Sequence, residues 1–308
     1  MKTSILFALL LASAAPAFAQ TTAASPNRFA ATVAAPERFE IQGTLVERHG
    51  KGARPLILIP GLATGGWVWQ ETVREFSKDH TLYVVTLPGF DGRPAVAGNP
   101  VDAARRALRE LVVSRKLVKP VLVGHSVGGT LALALAQDLP DRLAGVVAID
   151  GLAVFPRTED TPPEQRAAMA EAMRQRMAAA TPAAFASQQR QYMRTIGVTD
   201  MGKADDLAAL TARSDPAAVA SWVGAALALD LRPGLSNIRA PVLVLAPSYG
   251  PDDAAMGVSA SEKVAYYREL MTGTPMLEVA TIDNARHFAM LDQPGAVHDA
   301  LRQFLKKL

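Results

Sequence analysis

The sequence predicts an open α/β fold in which a mostly parallel sheet carries helices on both faces. Six short apolar runs of strand character follow one another along the chain, and stretches of helical periodicity separate most of them. Continuously apolar strands are typical of a parallel sheet that is buried on both sides. A long helical interval without strand character interrupts the series and indicates an insertion. The six runs are RPLILIPG, HTLYVVTLPG, KPVLVGHS, LAGVVAIDG, APVLVLAPS and MLEVATID.

The order of the elements predicts a core and a cap. A hairpin in RFEIQGTLVERHG precedes the first apolar run, and the helical stretch DAARRALRELVVSRKL separates the second run from the third. The long interval between the fourth and fifth runs is rich in Ala and Met, and Asp215 is placed there to cap a helix. We therefore predict a core of residues 38–151 and 237–308, with a helical cap of residues 152–236 over the carboxyl edge of the strands.

Composition excludes several classes of protein. The chain has 308 residues, of which 49% are hydrophobic and 20% are charged, so it can bury a large core. Its net charge of +3 is spread along the chain, without the dense clusters of Lys and Arg and interleaved aromatic side chains that a nucleic-acid groove needs. The sequence therefore argues against a nucleic-acid partner. It contains no cysteine, which excludes disulfides and thiol chemistry.

The amino-terminal stretch MKTSILFALLLASAAPAFAQ has the pattern of a cleaved secretory signal. Lys2 precedes an apolar run, and small residues stand just before Gln20. A buried or membrane helix is the alternative, but the run is shorter than the roughly 20 apolar residues that span a bilayer. We expect cleavage to remove residues 1–19 before Gln20 and residues 20–37 to form a flexible leader. The mature chain is then predicted to be periplasmic or secreted, without stable membrane insertion.

The stretch VLVGHSVGGT contains the pattern G-x-S-x-G between a predicted strand and a predicted helix. Such a turn strains the backbone of the serine and needs small residues two positions before and after it, a need that Gly124 and Gly128 meet. Ser126 then lies at the amino end of the new helix, where free N–H groups and the helix dipole can stabilise an oxyanion. The pattern is common by chance, and the alternative is an ordinary turn serine. Its context favours Ser126 as a nucleophile.

A nucleophilic serine needs a base, and the chain has five histidines. His287 lies in TIDNARHFAML, in a loop directly after the last predicted strand, from which it can reach a nucleophile at the same sheet edge. The other four lie in the hairpin, at the start of a strand, beside Ser126 pointing away from it, and on the last helix: His49, His80, His125 and His298. We predict that His287 is the base, with a solvated loop histidine as the alternative.

Four segments together resemble the α/β-hydrolase superfamily over residues 38–308: LILIPGLATGGWVW, VTLPGFDGRP, VGHSVGG and DNARHFAMLDQP. The serine turn and the histidine loop carry the resemblance, whereas the cap is not specific. The resemblance implies an α/β-hydrolase fold with an eight-stranded, mostly parallel sheet. It also implies a Ser/acid/His triad that uses no metal and no organic cofactor, and an oxyanion hole made by the backbone N–H groups of Leu62 and Val127. The first oxyanion loop begins Pro60-Gly61 here, where members often have His-Gly.

The position of the triad acid stays open between two strand ends. The usual acid follows the strand after the cap, but there the sequence reads APSYGPDDAAMG, with Pro247 where a glycine normally stands and with Asp252 and Asp253 displaced. Some members, including certain haloalkane dehalogenases, carry the acid at the end of the strand before the cap, where Asp150 lies. We predict Asp150 as the acid. The alternatives for Asp150 are capping the first turn of the cap and bonding the serine turn.

These residues predict an exported serine hydrolase that cleaves a small-molecule ester with apolar acyl or alcohol groups. A serine nucleophile argues against haloalkane dehalogenase and epoxide hydrolase chemistry, in which a carboxylate takes that place. Aminopeptidase, lactonase and C–C hydrolase reactions stay open. So does a non-catalytic protein that binds a ligand in the capped pocket.

Overall fold

The computed structural model describes residues 27–35 and 37–308. The predicted signal peptide and its cleavage before Gln20 lie outside the described residues. Part of the predicted leader, residues 27–35, lies against the body of the protein, where Gln70 Oε1 accepts a hydrogen bond of 3.1 Å from the backbone N–H of Thr32.

Within the described residues, an eight-stranded sheet forms the centre of the protein. Its strands are β1 (Glu37–Ile41), β2 (Thr44–His49), β3 (Pro55–Ile59), β4 (Thr81–Thr86), β5 (Val121–His125), β6 (Gly145–Ile149), β7 (Val242–Ser248) and β8 (Leu277–Asp283). Their order in the sheet is β1-β2-β4-β3-β5-β6-β7-β8. The hairpin β1–β2 and the pair β2–β4 are antiparallel, and all other neighbours are parallel. The predicted fold class is confirmed.

The central strands are buried on both faces, which explains their continuous apolar sequence. Successive residues of β3 alternate between two cores: Leu56 and Leu58 belong to one, and Ile57 and Ile59 to the other. Because both sides of the sheet must exclude water, neither face of these strands carries the polar half of an alternating pattern.

Helices cover both faces of the sheet. In chain order, the described helices are α1 (Gln70–Phe76), α2 (Pro100–Ser114), α3 (Val127–Asp138), α4 (Pro163–Ala178), α5 (Pro182–Tyr192), α6 (Met201–Thr211), α7 (Pro216–Ala228), α8 (Gly250–Met256), α9 (Ala260–Leu270), α10 (Ala289–Asp292) and α11 (Pro294–Lys306). Helices α2, α3 and α9 pack into one core, and α1 and α11 into the other. In the described part of the chain, none of these helices combines the length and the apolar character needed to cross a bilayer.

Helices α4 to α7 occupy the interval between β6 and β7 in which we predict the cap. Helix α4 packs on α7, and α5 packs on α6. Asp215 caps α7 by accepting a hydrogen bond of 2.9 Å from the N–H of Ala217. The buried guanidinium of Arg166 forms an ion pair of 3.0 Å with Asp230, and it donates to the carbonyl oxygens of Thr158 and Thr161. Arg166 thereby ties the start of the insertion to its end.

Candidate active site

Ser126 occupies a sharp turn between β5 and α3. Its backbone has φ 53° and ψ −123°, a conformation that costs energy for any residue other than glycine. The turn is held because the N–H of Ser126 donates to the carbonyl oxygen of Ile149 at 2.9 Å, and the carbonyl oxygen of Ser126 accepts from Gly129 at 2.8 Å. The surrounding structure therefore fixes the strained conformation and keeps the hydroxyl at the carboxyl edge of the sheet.

The turn requires the two glycines that flank it. A Cβ atom on Gly124 would lie 2.1 Å from the carbonyl oxygen of Gly128, and one on Gly128 would lie 2.3 Å from the carbonyl oxygen of Ile59. Both obstacles are backbone atoms, which cannot move aside as a flexible side chain can. Strand β5, the turn and α3 are therefore packed as closely as backbones allow, as the G-x-S-x-G pattern predicts.

Asp150 follows β6 directly and contacts His287. The distance from Asp150 Oδ2 to His287 Nδ1 is 2.5 Å, and the second carboxylate oxygen, Oδ1, accepts a hydrogen bond from the hydroxyl of Tyr267. The side chains of His287 and Asp150 are 17% and 16% exposed. Because Nδ1 of His287 faces the carboxylate, Nε2 is the nitrogen left to exchange a proton with a substrate or a nucleophile.

Opposing effects set the ionisation of Asp150. Burial raises its pKa, but the neighbouring His287, the hydrogen bonds from His287 and Tyr267, and the charge of Lys263 together bring the pKa below its ordinary value. Asp150 is therefore a carboxylate at neutral pH. An ionised partner at Nδ1 holds the imidazole in one tautomer and stabilises the imidazolium that forms when Nε2 takes a proton.

The loop that carries His287 is held from two sides. The N–H of His287 donates to the carbonyl oxygen of Ile196 at 3.1 Å, and the N–H of Phe288 donates to that of Gly197 at 2.9 Å. Both acceptors belong to a π-helical turn, Met193–Gly197, that follows α5 in the insertion. From the sheet side, Nε2 of His125 lies 2.9 Å from the carbonyl oxygen of His287. The position of His287 therefore depends on the insertion as well as on the core.

His125 is a buried, neutral side chain that braces this loop. Since its partner is a carbonyl, Nε2 of His125 carries the proton and donates it. Burial, followed by the electrostatic effect of the neighbouring His287, keeps the pKa of His125 well below its ordinary value. Sequence reasoning places His125 away from the nucleophile and assigns it no part in the site, so this contact is a finding of the structure.

The expected oxyanion donors, the N–H groups of Leu62 and Val127, belong to two segments that border Ser126. Val127 is the first residue of α3, so its N–H has no partner within the helix. Leu62 follows Gly61, where an added Cβ atom would lie 3.3 Å from the Cβ atom of Ser126, and Thr64 closes that loop by bonding to the carbonyl oxygen of Gly61. Over residues 27–35 and 37–308, neither N–H group has a hydrogen-bond partner. Both are available to an oxygen atom of a substrate.

Among the described residues, His287 bonds to Asp150 through Nδ1 and to Ile196 through its N–H, and no hydrogen bond joins it to the hydroxyl of Ser126. In enzymes without substrate, such contacts are often long and tighten only in the complex. The ring of His287 lies close to the residue that precedes Ser126, since the ring centroids of His125 and His287 are 4.6 Å apart.

Asp252 and Asp253, the alternative acids, have other partners. Asp252 binds the guanidinium of Arg286 through both oxygens, at 2.7 and 2.9 Å. Asp253 is buried and accepts a hydrogen bond of 2.6 Å from the hydroxyl of Ser248. Neither carboxylate contacts His287 among the described residues, whereas Asp150 does. The geometry therefore brings together Ser126, Asp150 and His287 at one edge of the sheet.

Sequence reasoning misses Tyr267, which lies on α9 in the stretch EKVAYYREL. Val264, Tyr267, Leu270 and Met271 recur at helical spacing, and all of them pack into the core. This periodicity could have placed a tyrosine on the buried face of α9. It could not have shown that its hydroxyl meets Asp150, because the two residues are far apart in the sequence.

A sequence profile of the alpha/beta hydrolase family matches residues 56–300 of the chain. The chain belongs to this family. A 2-succinyl-6-hydroxy-2,4-cyclohexadiene-1-carboxylate synthase from Shigella sonnei (strain Ss046) is 29% identical to this family member over 262 residues, 84% of the chain and 97% of that protein.

Solved structures of the same fold resemble this family member over most of its length. A thermophilic esterase from Thermogutta terrifontis has a TM-score of 0.68 and 24% identity, covering 88% of the chain and 98% of the esterase. The enol-lactonase from Burkholderia xenovorans LB400 has a TM-score of 0.65 and 20% identity, covering 88% of the chain and 100% of that structure. At these identities the likeness shows the fold alone.

Proposed function

We propose that the chain is an exported serine hydrolase that cleaves carboxylic esters carrying apolar groups. The observation that carries the proposal is the 2.5 Å contact between Asp150 and His287 at the edge where Ser126 occupies its strained turn. In this proposal Ser126 is the nucleophile, His287 is the base and Asp150 is the acid that orients the base, which are the three groups that acyl transfer needs. The esterase and the enol-lactonase of the same fold are consistent with this class of reaction.

In the proposed reaction, Ser126 Oγ attacks the ester carbonyl carbon while Nε2 of His287 takes the hydroxyl proton. The negative charge on the carbonyl oxygen is stabilised by the N–H groups of Leu62 and Val127. The alcohol leaves with the proton from His287, and an acyl group remains on Ser126. Water then attacks the acyl carbon, His287 takes its proton, and the acid leaves as Ser126 regains its hydrogen. Asp150 stays ionised throughout and stabilises the imidazolium.

Apolar and aromatic side chains around the triad support the preference for apolar groups. The ring of Tyr192 lies edge-on to His287 with centroids 6.1 Å apart, and Phe288 packs 4.6 Å from His125. Leu62 and Met177 are partly buried and pack against the hydrophobic core that contains Val127. Arg286, which adjoins His287 in the sequence, has its guanidinium committed to Asp252 and to two backbone carbonyls. It is not free to bind a substrate carboxylate.

A second candidate is a reaction on an anionic, carboxylate-bearing substrate. The observation that favours it is the synthase from Shigella sonnei, whose product name contains a succinyl and a carboxylate group and which aligns over 97% of its length. The commitment of Arg286 argues for the neutral ester instead. A matched pair of nitrophenyl esters separates the two candidates. The butyrate and the hemisuccinate have acyl chains of equal length, and the chain ends in a methyl group in the first and in a carboxylate in the second.

The test of the proposed function combines labelling with turnover. A fluorophosphonate probe should modify the wild-type protein at Ser126, and nitrophenyl esters from acetate to palmitate should be hydrolysed while the matching amide is not. Ser126→Ala should abolish labelling and lower turnover by about 10⁴ or more with an unchanged circular-dichroism spectrum. Turnover that survives in a folded Ser126→Ala protein would remove Ser126 from the mechanism. A probe-inert wild type would instead favour a non-catalytic binding protein.

Export is the part of the proposal that rests on the sequence alone. Mass spectrometry of protein from the periplasm or the medium should give an amino terminus at Gln20. Protein recovered there with Met1 intact would contradict the predicted cleavage.

A further inference from the structure

Tyr267 makes a contact with the triad that the proposed mechanism does not use. Its side chain is buried, and its hydroxyl donates to Oδ1 of Asp150 while Oδ2 of Asp150 meets His287. Each oxygen of the carboxylate therefore has its own partner. A carboxylate held at both oxygens cannot rotate about its Cβ–Cγ bond, so the oxygen that faces His287 stays in place.

The helix that carries Tyr267 is anchored independently of the site. Ser259 and Glu262 form a capping box at the amino end of α9, and Leu270 packs into the core near its other end. The orientation of Tyr267 is thus set by α9. The position of its hydroxyl therefore does not depend on the contact with Asp150. Filling the core at this position needs only the aromatic ring, which phenylalanine also supplies.

The neighbouring Tyr266 shows what a tyrosine of α9 does when it is not directed at the acid. Its hydroxyl accepts a hydrogen bond of 2.8 Å from the N–H of Arg157 and donates to Glu159 at 3.0 Å. Both partners belong to the first part of the insertion, before α4 begins. The two adjacent tyrosines therefore face different structures, and Tyr266 provides a matched control for Tyr267.

We propose that Tyr267 is a positioning residue that holds Asp150 in the rotamer in which it orients His287. This inference rests on the proposed function, because positioning has a kinetic effect only if His287 acts as a base. The hydroxyl of Tyr267 touches neither the substrate nor the proton in transit. It acts through Asp150 alone, by fixing the carboxylate and by sharing its negative charge through the hydrogen bond.

The charges around the pair fix the direction of the expected change. Asp150 is faced by His287, Tyr267, Lys263, Tyr192 and His125, and Tyr267 is also faced by Tyr266 and Asp253. The hydrogen bond from Tyr267 is one of the effects that lower the pKa of Asp150. When the hydroxyl is removed, the carboxylate keeps more charge and binds the imidazolium more strongly. The base is then released only at higher pH.

The experiment compares Tyr267→Phe with Tyr266→Phe by the rate of fluorophosphonate labelling across a pH series. We expect Tyr267→Phe to be labelled about tenfold more slowly, as for loss of one hydrogen bond to a charged group. In a plot of labelling rate against pH, the acid limb, where the rate rises with pH, should move to higher pH. Tyr266→Phe should keep the wild-type limb. A loss caused only by altered packing would lower the rate at every pH without moving the limb.

A second measurement keeps the inference independent of the reaction. The downfield proton resonance of the hydrogen bond between His287 Nδ1 and Asp150 should shift or vanish in Tyr267→Phe and remain unchanged in Tyr266→Phe. If the wild type does not react with the probe, the proposed function fails and this resonance alone decides about Tyr267. An unmoved limb and an unmoved resonance in Tyr267→Phe, or equal shifts in both variants, would overturn the positioning role.

Discussion

The carboxyl ends of β6 and β7 lie side by side in the sheet, and both lead into aspartates with very different surroundings. Asp150, after β6, meets His287 and Tyr267. Asp252, after β7, meets Arg286 through both of its oxygens. The comparison shows that a position at the carboxyl edge of the sheet is not sufficient to make an aspartate the partner of a histidine. The partner that reaches it decides its role.

The local backbone explains why the two ends differ. Asp150 is the first residue after β6, with φ 49°, and its N–H donates to the carbonyl oxygen of Leu245 at 2.9 Å. It is followed by Gly151, where a Cβ atom would lie 2.7 Å from the carbonyl oxygen of Ser126. Asp150 is therefore fixed beside the serine turn. Asp252 lies in the first turn of α8, where a negative charge is favourable at a helix amino end.

The largest effect is expected at the β6 end. Asp150→Asn should lower ester turnover by about 10³ to 10⁴, because an amide in place of the carboxylate holds the wrong tautomer of His287 and cannot stabilise the imidazolium. The melting temperature should change little, since asparagine keeps the shape of the side chain. Turnover of nitrophenyl esters and thermal unfolding measure the two quantities. Full activity in this variant would remove Asp150 from the triad.

A smaller loss of activity is expected from the cation at the β7 end. Arg286→Met leaves Asp252 and the carbonyl oxygens of Arg194 and Val198 without their donor, so the free energy of unfolding should fall by about 2 to 3 kcal/mol. Turnover should fall about tenfold, because the loop that carries His287 loosens. Urea denaturation and ester kinetics measure the two effects.

The matched control for Arg286→Met is Arg194→Met. Arg194 pairs with Asp205 at 2.7 Å, but both side chains are 49% exposed, so this pair contributes at most about 1 kcal/mol. Equal stability of the two variants would contradict the view that Arg286 fixes the histidine loop.

The aspartates of the β7 end should matter least for catalysis. The double change Asp252→Asn with Asp253→Asn should leave turnover within about tenfold of the wild type, since asparagine can still accept hydrogen bonds from Arg286 and Ser248. Steady-state ester kinetics of the double variant, measured together with those of Asp150→Asn, compare the two strand ends directly. An inactive double variant together with an active Asp150→Asn would place the acid after β7.

The sequence was sufficient for the fold, because apolar strands buried on both faces and a G-x-S-x-G turn are local patterns. Gly124 and Gly128 could be interpreted from their spacing to Ser126 alone. Asp150 as the partner of His287 is predicted by the family resemblance and by no local pattern. Tyr267 and Arg286 could not be predicted as further partners, since they reach Asp150 and Asp252 across long stretches of chain. The same holds for His125, whose contact with the His287 carbonyl depends on how a distant loop folds back over β5. Side-chain direction at a strand end is a tertiary property, and no periodicity encodes it.

The smallest expected effect concerns the stability of the folded protein in acid, which tests whether the surroundings of Asp150 stabilise its charge. Burial raises the pKa of Asp150, but His287, Tyr267 and Lys263 together bring it below the ordinary 3.8. A carboxyl whose pKa is lower in the folded than in the unfolded state contributes stability that is present above the unfolded value and is lost as pH falls through the folded value. The wild type should therefore lose stability relative to Asp150→Asn as pH falls below about 4, with a slope of at most about 1.4 kcal/mol per pH unit for one proton. Urea denaturation of both proteins at a series of acidic pH values measures the difference in their unfolding free energies. If it stays constant throughout the series, ionised Asp150 gains nothing from its partners, and the β6 end loses the electrostatic feature by which we distinguish it from the β7 end.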